Sequence, residues 1–295
     1  MLNKSRKCPL CSGNAGRSVF PYSTVYNKKQ FNYLKCKNCS SVFVNPVPDD
    51  ETFALMYAKA DYHDCHYMKN IDVSYTASAK TLKKFINSKS TVLDYGCGVG
   101  NFLKSLSEVG FIPLGVEFDT DAAIYASKNS NCSVVTVDQF FNQKDKELVD
   151  AIHMGDVLEH LPDPLKTLND VLKFLKPGGV LFVEGPIETN PSLVYWSALL
   201  FGSVKRFLNK DSHGLHTPTH LFRTNAEQQL AFFSRTRDDL ELLYWDIYET
   251  GWPYINGNLF KRFIAKLAIF IAKIFFFKPI IGNRFVAVFK TNKLS

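Results

Sequence analysis

Three glycines at a spacing of two, Gly96, Gly98 and Gly100, stand between a short apolar run and a segment of helical periodicity, and Asp94 precedes them. Glycine lets the backbone turn tightly and lets a ligand approach with no Cβ in the way. The spacing is Gly-x-Gly-x-Gly, which differs from the Gly-x-Gly-x-x-Gly of dinucleotide-binding proteins. The segment predicts a strand, a ligand-binding turn and a helix, with an ordinary loop as the alternative.

Two further acidic residues end the next predicted strands. Glu117 lies 23 residues after Asp94, as expected for one strand–helix–strand unit, and Asp138 ends a third apolar run. A carboxylate at the end of the second strand can accept two hydrogen bonds from ribose hydroxyls. Glu117 is therefore a candidate contact for a ribose.

Four segments resemble those of class I S-adenosylmethionine (SAM)-dependent methyltransferases, in the same order and with similar spacing. They are the glycine turn at 92–102, the acid-ended strand at 114–119, the Glu-His-Leu-Pro-Asp-Pro run within 155–164 and the Lys-Pro-Gly-Gly turn at 176–183. The resemblance implies that SAM is the cofactor and that Asp138 meets its adenine amino group. The cofactor-binding residues that it implies are Asp94, Tyr95, Gly96, Gly98, Glu117, Phe118, Asp138 and Gln139.

These residues need a sheet that brings the ends of several strands together. The resemblance implies a Rossmann-like α/β domain over 90–295, with a seven-stranded sheet in which only strand seven is antiparallel. Ligands of such sheets lie beyond the carboxyl ends of the parallel strands. Two long insertions, at about 187–224 and 250–283, and a helical lid or linker over 49–89 are expected to build the acceptor pocket. The lid tyrosines that are candidates to face the sulfonium cation, with core packing as the alternative, are Tyr57, Tyr62 and Tyr67.

Two histidines are candidate bases for a hydroxyl acceptor, because an unperturbed imidazole titrates near neutral pH. His160 follows predicted strand four, near the expected position of the methyl group, and a base there assists by ~10²–10⁴-fold. Its alternative role is to brace the following helix. His220 stands where the family often has a histidine before a Leu-x-x-Phe stretch, but Thr224 replaces the phenylalanine. His220 is a second base, an acceptor contact or a structural hydrogen-bonding group.

Four cysteines form two Cys-x-x-Cys pairs, Cys8 with Cys11 and Cys36 with Cys39, and predict a zinc ribbon over 1–48. Each pair places two thiolates on one turn, and two such turns complete a tetrahedral site that is structural because no ligand position stays open. Reduced core cysteines are the alternative, which the polar local sequence disfavours. The head resembles bacterial methyltransferases of polysaccharide and secondary-metabolite pathways, including deoxysugar C-methyltransferases and ubiquinone-type O-methyltransferases. The sequence favours O-methylation slightly over C-methylation.

The formal net charge of +7 over 295 residues is unevenly distributed. Residues 259–282 hold five basic residues and no acidic residue, so the rest of the chain is close to neutral. The charge distribution therefore does not indicate a basic surface wide enough to bind a nucleic acid. The apolar and basic segment 259–278 either covers the acceptor pocket or lies in an anionic membrane interface. The first residues show no apolar leader, and the cysteines are read as thiols or metal ligands. We therefore expect a cytoplasmic protein, peripheral at the inner face of the membrane in the second case.

The leading functional interpretation is a SAM-dependent methyltransferase that acts on a small molecule: a sugar, a nucleotide-linked sugar, or a lipid- or quinone-like intermediate. One alternative is an RNA or protein methyltransferase that uses the zinc head for substrate recognition, although no Asn/Asp-Pro-Pro-Tyr/Phe motif follows strand four. Another is a non-catalytic SAM-binding scaffold, against which the acidic residues at three strand ends argue. The oligomeric state is left open.

Overall fold

The structure is a computed structural model that describes residues 6–57, 75–143, 147–209, 213–274 and 280–292. The lid tyrosines Tyr62 and Tyr67 lie outside the described residues, as do 275–278 of the basic and apolar segment.

A four-stranded antiparallel sheet forms the N-terminal head. β1 (Ala15–Tyr26) and β2 (Lys29–Cys36) make a hairpin whose two turn residues have φ of 46° and 58°, and such a turn matches the twist of the flanking strands. β3 (Val42–Asn45) pairs with β2. The fourth strand, β9 (Phe222–Arg223), comes from the first insertion and pairs with β3. Sheet hydrogen bonds therefore tie the first insertion to the head.

A seven-stranded sheet forms the main domain, in the order β10–β11–β8–β7–β4–β5–β6. Only β11 runs antiparallel to its neighbours, β8 and β10, and the other pairs are parallel. This confirms the predicted Rossmann-like α/β fold, in which the last strand of the sheet, β11, is the antiparallel one. The strands are β4 (Thr91–Tyr95), β5 (Ile112–Glu117), β6 (Ser133–Thr136), β7 (Val149–Gly155), β8 (Leu175–Pro186), β10 (Leu240–Tyr248) and β11 (Arg284–Thr291).

Helices connect the strands, and short 3-10 turns cover Leu158–His160 and Tyr254–Asn256. The helices are α1 (Asp50–Met56), α2 (Thr76–Leu82), α3 (Asn101–Glu108), α4 (Thr120–Ser130), α5 (Val137–Phe141), α6 (Pro164–Leu172), α7 (Leu193–Leu208), α8 (Ala226–Thr236) and α9 (Leu259–Ile274). None of the described helices is long and apolar enough to cross a membrane.

The prediction that Asp138 ends the third strand of the main sheet, β6, is wrong. Thr136 and Gln139 form a capping box in which each side chain accepts from the other residue's backbone N–H. A capping box starts a helix by satisfying backbone donors that the first turn leaves unpaired. β6 therefore stops at Thr136, and Asp138 lies in the first turn of α5.

The head shares a buried core with the main domain. Leu10 and Phe43 of the head belong to the same buried cluster as Ile152 of β7 and Leu181 of β8. The two insertions form a smaller cluster of their own, in which α7 and α9 pack against each other. The head is therefore anchored to the domain by apolar burial as well as by β9.

Candidate active site

A cavity of about 630 Å³ opens at the carboxyl ends of the parallel strands, and small-molecule sites commonly have roughly 300–1,000 Å³. Its lining comes from the glycine turn, from the turn after β7 and from both insertions. The first insertion contributes Thr219 and His220, and the second contributes Trp252 and Ile255. The predicted acceptor-pocket segments therefore meet the predicted cofactor turn at one cavity.

Two of the three glycines in the turn are required by the fold itself. Gly96 has a φ of 83°, and a Cβ there would lie 2.5 Å from the Val157 side chain. Gly100 has the same φ, and its Cβ would lie 2.9 Å from the Ala126 carbonyl oxygen. Left-handed backbone and the absence of a side chain are therefore both needed. The turn directs the start of α3 towards the cavity, which Asn101 lines.

Glu117 fixes the shape of the glycine turn. Its carboxylate accepts a hydrogen bond from the backbone N–H of Gly98 at 2.7 Å and one from Phe118 at 2.8 Å. The backbone N–H of Asp119 is a third donor to the same carboxylate, at 3.4 Å. The Phe118 ring beside it is 74% exposed.

The other predicted cofactor residues differ in how far they are buried. Tyr95 is buried with its ring edge against Phe140, and burial followed by the Glu117 carboxylate raises its pKa to about 12. Asp138 and Gln139 are exposed, and the Gln139 side chain is engaged in the capping box. Of the eight predicted residues, three line the cavity: Asp94, Gly96 and Gly98.

A buried histidine in the wall of the cavity bridges two carboxylates. Nδ1 of His153 lies 2.7 Å from Asp94 Oδ1, and Nε2 lies 3.3 Å from Glu184 Oε1. Burial would lower the pKa of His153, but the two carboxylates outweigh it and raise the pKa to about 9. The imidazole is therefore charged at neutral pH, and the Ser78 hydroxyl donates to the second oxygen of Glu184 at 2.9 Å. The Asp94 carboxylate is held in place by this pairing.

A second polar cluster in the cavity contains both predicted catalytic histidines. The rings of His160 and His220 lie 4.9 Å apart, and His160 Nε2 lies 3.9 Å from Glu159 Oε1. The Nδ1 atom of His160 donates to the Thr219 carbonyl at 3.0 Å and lies 3.2 Å from the Tyr57 hydroxyl. Burial, followed by His220, lowers the pKa of His160 to about 3, so its ring is neutral at physiological pH.

Glu188 orients the His220 ring by bonding its Nδ1 atom. Its Oε2 lies 3.0 Å from His220 Nδ1 and 3.4 Å from Arg223 Nε. Burial would raise the pKa of Glu188, but Arg223 and His220 outweigh it and lower the pKa to about 2. The resulting carboxylate raises the pKa of His220 against the opposing effect of burial. Arg223 is in turn held over the Tyr33 ring of the head at 4.9 Å.

Backbone hydrogen bonds bring the two histidines together across 60 residues of chain. The Leu221 N–H donates to the Glu159 carbonyl at 2.7 Å, and the Leu221 carbonyl accepts from Val44 of β3 at 2.9 Å. The segment that carries His220 therefore lies between the turn after β7 and the head sheet. The head, through β3 and β9, positions a residue of the cavity.

Several cavity residues were not predicted from the sequence. His153 interrupts the apolar run 151–154 of β7, and Glu184 interrupts the apolar run 180–185 of β8. Such an interruption of a buried strand could have indicated both residues. Arg284 at the start of β11 donates to Asp156 at 2.7 Å and to the Tyr248 hydroxyl at 3.1 Å. The sequence gives no comparable indication for Arg284, because only the sheet order places β11 beside β8.

The four cysteines of the head form one cluster. Sγ of Cys8 lies 3.7 Å from that of Cys39, and Sγ of Cys11 lies 3.5 Å from that of Cys36. All four sulfur atoms lie within 4.8 Å of one another. A tetrahedral zinc ion with bonds of about 2.3 Å requires sulfur separations of about 3.8 Å. The donor set and its spacing therefore fit one zinc ion.

Residues 68–238 match the family described as "Methyltransferase domain". The curated relatives include two ubiquinone biosynthesis O-methyltransferases. The one from Glaesserella parasuis is 28% identical over 165 residues, which cover 49% of this chain and 69% of the relative. The one from Pasteurella multocida is 26% identical over 234 residues, which cover 72% of this chain and 90% of the relative.

Solved structures with the same fold include a chain of the complex between the Haloferax volcanii Trm112 methyltransferase activator and a methyltransferase. The TM-score is 0.51 at 17% identity, with 83% of this chain and 99% of that chain covered. Another is a SAM-dependent methyltransferase from Methanosarcina mazei, with a TM-score of 0.50 at 15% identity and 72% and 97% of the two chains covered. At these identities the similarity establishes the fold alone.

Proposed function

The chain belongs to the methyltransferase-domain family and is a SAM-dependent methyltransferase, and we propose that it methylates an oxygen atom of a small-molecule acceptor. The observation that carries this proposal is the cluster of Glu159, His160 and His220 in the wall of the same cavity as the glycine turn. The names of the ubiquinone O-methyltransferase relatives are consistent with it.

The residues of the glycine turn fit SAM. When bound, SAM supplies an electrophilic methyl group on a sulfonium. The cavity volume suits a nucleoside-sized ligand. Glu117, which ends β5 and fixes the glycine turn through Gly98, is the candidate to accept from ribose hydroxyls. Asp94 and Glu184 place carboxylates in the cavity lining, where negative charge favours a cationic ligand. These residues bind and orient the cofactor, and Phe118, which follows Glu117, has an exposed aromatic ring that can stack on the adenine.

The Glu159–His160–His220 cluster assists the loss of the proton from the acceptor hydroxyl. In the transfer the oxygen–methyl bond forms as the sulfur–methyl bond breaks, and the hydroxyl proton must leave. A positioned group that assists this loss contributes ~10²–10⁴-fold, in addition to what alignment of the two reactants provides. Trp252 and Ile255 add apolar surface to the same cavity. This lining favours an acceptor with an apolar body, such as a lipid- or quinone-like intermediate, over a bare sugar.

Methyl-labelled SAM and a small-molecule cell extract test the proposal. We expect a labelled product whose methyl carbon has the NMR shift of a methyl ether, and a ~10²–10⁴-fold lower rate for His160→Ala and His220→Ala. His213→Ala is the matched control, because His213 bonds Ser23 and is absent from the cavity lining. Label in a C-methyl group, in RNA or in protein would contradict the proposal.

The head is assigned a structural zinc ion held by Cys8, Cys11, Cys36 and Cys39. The head sheet has one small buried cluster of its own, formed by Phe31, Tyr33, Val42 and Val44, and the metal adds to its folding free energy. Because β3 and β9 of the head hold the segment that carries His220, an intact head supports the cavity as well. The zinc has no open ligand position and takes no part in the transfer.

The two insertions are assigned a membrane-facing surface, here called the apolar surface and formed by exposed side chains of α7 and α9. Those of α7 are Trp196, Leu200, Phe201, Val204, Phe207 and Leu208, and those of α9 are Leu259, Phe260, Phe263, Leu267, Phe270 and Ile274. The Phe201 and Phe260 rings lie 6.1 Å apart and join the two helices. The first turn of α9 has no acidic residue. Four basic side chains along this helix are exposed: Lys261, Arg262, Lys266 and Lys273. Exposed apolar area with basic residues suits an anionic membrane interface.

Vesicle flotation distinguishes this role from a cover over the pocket. We expect binding to phosphatidylglycerol vesicles that falls with added salt, since each basic residue near the surface contributes about 1 kcal/mol. Lys266→Glu with Lys273→Glu should reduce the binding. Lys104→Glu with Lys128→Glu on α3 and α4 changes the net charge equally and should not. A wild-type protein that never floats would leave only the pocket-cover role.

A further inference from the structure

Arg223 is a mostly buried cation that does not itself line the cavity. It ends β9, and its side chain is 17% exposed. The guanidinium lies between the Glu188 carboxylate, 3.4 Å from its Nε atom, and the Tyr33 ring, whose centroid is 4.9 Å from its Cζ atom. A buried cation is costly unless it is paired, and both neighbours stabilise it. Any effect of Arg223 on the cavity must therefore pass through a neighbouring side chain.

Arg223 acts on Glu188 through its charge. The Nε atom is buried and has no hydrogen-bond partner among the described residues, so its contact with Glu188 is an ion pair without a hydrogen bond. Burial would raise the pKa of Glu188, but Arg223, followed by His220, lowers it to about 2. Glu188 is therefore a carboxylate at neutral pH, and it faces the Nδ1 atom of His220 at 3.0 Å.

The head holds Arg223 in this position. Tyr33 belongs to β2 and is 1% exposed, and its hydroxyl lies 3.0 Å from the Nε2 atom of His216. A planar guanidinium stacks on such a ring in a way that an ammonium group does not. Because β9 also pairs with β3, the head fixes both the backbone and the side chain of Arg223.

We propose that Arg223 is a positioning residue for methyl transfer, which holds the Glu188 carboxylate against Nδ1 of His220 and leaves Nε2 of that ring available to the acceptor. This inference rests on the proposed function, in which His220 assists the loss of the hydroxyl proton. The proton passes to Nε2 as the oxygen–methyl bond forms and the carbon–sulfur electron pair returns to sulfur. The Glu188 carboxylate then stabilises the resulting imidazolium.

The charge of Arg223 also affects the pH at which His220 can accept a proton. Burial lowers the pKa of His220, Glu188 and Glu159 raise it, and Arg223 lowers it. Removal of the Arg223 charge therefore lets the Glu188–His220 pair keep its proton to a higher pH. The charged and titratable groups that face His220 are Glu188 after β8, Arg223 of β9, and Asp156, Glu159 and His160 in the turn after β7.

Two substitutions separate the charge of Arg223 from its packing. Arg223→Gln removes the charge, whereas Arg223→Lys keeps the charge and loses the planar group. NMR titration of protein with nitrogen-labelled histidine measures the pKa of His220 without an acceptor, and His220→Gln assigns the signal. We expect Arg223→Gln to raise this pKa by about one unit and Arg223→Lys to leave it close to the wild-type value. Arg237→Gln is the matched control, because Arg237 pairs with Asp239 and is absent from the cavity lining.

The rate of label transfer from methyl-labelled SAM to the small-molecule extract is the second readout. In Arg223→Gln the pH of half-maximal rate should rise with the pKa of His220. The affinity for SAM should stay unchanged by titration calorimetry, because Arg223 does not line the cavity. A purely structural role would lower the rate without moving this pH.

An equal pKa of His220 in the wild type and in folded Arg223→Gln overturns the proposal, as does a shift of the same size in Arg223→Lys. A shifted pKa with an unmoved pH of half-maximal rate overturns the role in transfer. If Arg223→Gln does not fold, Glu188→Gln decides, since it should lower the pKa of His220 and an unchanged value overturns the proposal. A shifted pKa with label only in C-methyl groups contradicts the proposed O-methylation and supports the action of Arg223 on His220.

Discussion

The buried His153 should make the stability of the protein depend on pH in a defined direction. Asp94 and Glu184 raise the pKa of His153 to about 9 in the folded protein, against an ordinary value of 6.5. At about 1.4 kcal/mol per pKa unit, the difference between the folded and ordinary pKa values corresponds to about 3 kcal/mol of unfolding free energy. Both states are protonated below pH 6.5, so the contribution is fully present there. It falls as the pH rises, and it is lost above about pH 9.

His153→Gln isolates this contribution, because glutamine cannot carry the charge. We expect the free energy of unfolding of the wild type to exceed that of the variant at pH 6. The excess should shrink by about 3 kcal/mol between pH 6 and pH 9.5. Urea titrations of both proteins at each pH give the difference, in which the titration of groups that do not contact His153 cancels.

Ser78→Ala is the control for this measurement. It removes the hydroxyl that donates to Glu184 but no titrating group. Its unfolding free energy should lie below the wild type's by about 1 kcal/mol at every pH. A difference between wild type and His153→Gln that stays constant from pH 6 to pH 9.5 would refute the reasoning.

Three further predictions concern the cofactor, the head and the glycine turn. Glu117→Ala should weaken SAM binding by ~1.5–3 kcal/mol, and equal affinities by titration calorimetry would reject its ribose role. Elemental analysis should find one zinc ion in the head, which Cys8→Ser with Cys36→Ser should remove along with methyl transfer; undiminished zinc content would contradict this site. Gly96→Ala adds a Cβ 2.5 Å from a valine methyl at a φ of 83°, whereas a Cβ at Gly110, with a φ of 94°, meets nothing within 4 Å. Gly96→Ala should therefore lower the melting temperature more than Gly110→Ala, and equal losses would contradict a steric role.

Local features were predictable from the sequence because each depends on residues close together in the chain. The turn at Gly96 needs a left-handed backbone within a few residues of Asp94, and the cysteine pairs bring two ligands onto one turn. The apolar runs located the strands, and the resemblance of the motifs to those of known methyltransferases implied the seven-stranded sheet. Asp138 was misplaced because the capping box of Thr136 outweighs the apolar run that precedes it.

The composition of the cavity was less predictable. His153 faces Asp94 only because β7 and β4 pair in a parallel register that sets these two residues side by side. Arg284 reaches Asp156 only because the antiparallel β11 inserts beside β8. Such pairings depend on the register and order of strands that lie far apart in the chain, which no local pattern encodes.

The sequence by itself determined the class of enzyme, through the resemblance of its ordered motifs to known methyltransferases, and the two Cys-x-x-Cys pairs, which their spacing along the chain defines. Only the tertiary structure decided which polar groups act together. His160 and His220 meet because β9 pairs with the head and Leu221 bonds the Glu159 carbonyl. The meeting of the two histidines therefore comes from hydrogen bonds between three separate segments. Their free energy depends on the folded arrangement and not on the spacing of residues along the chain.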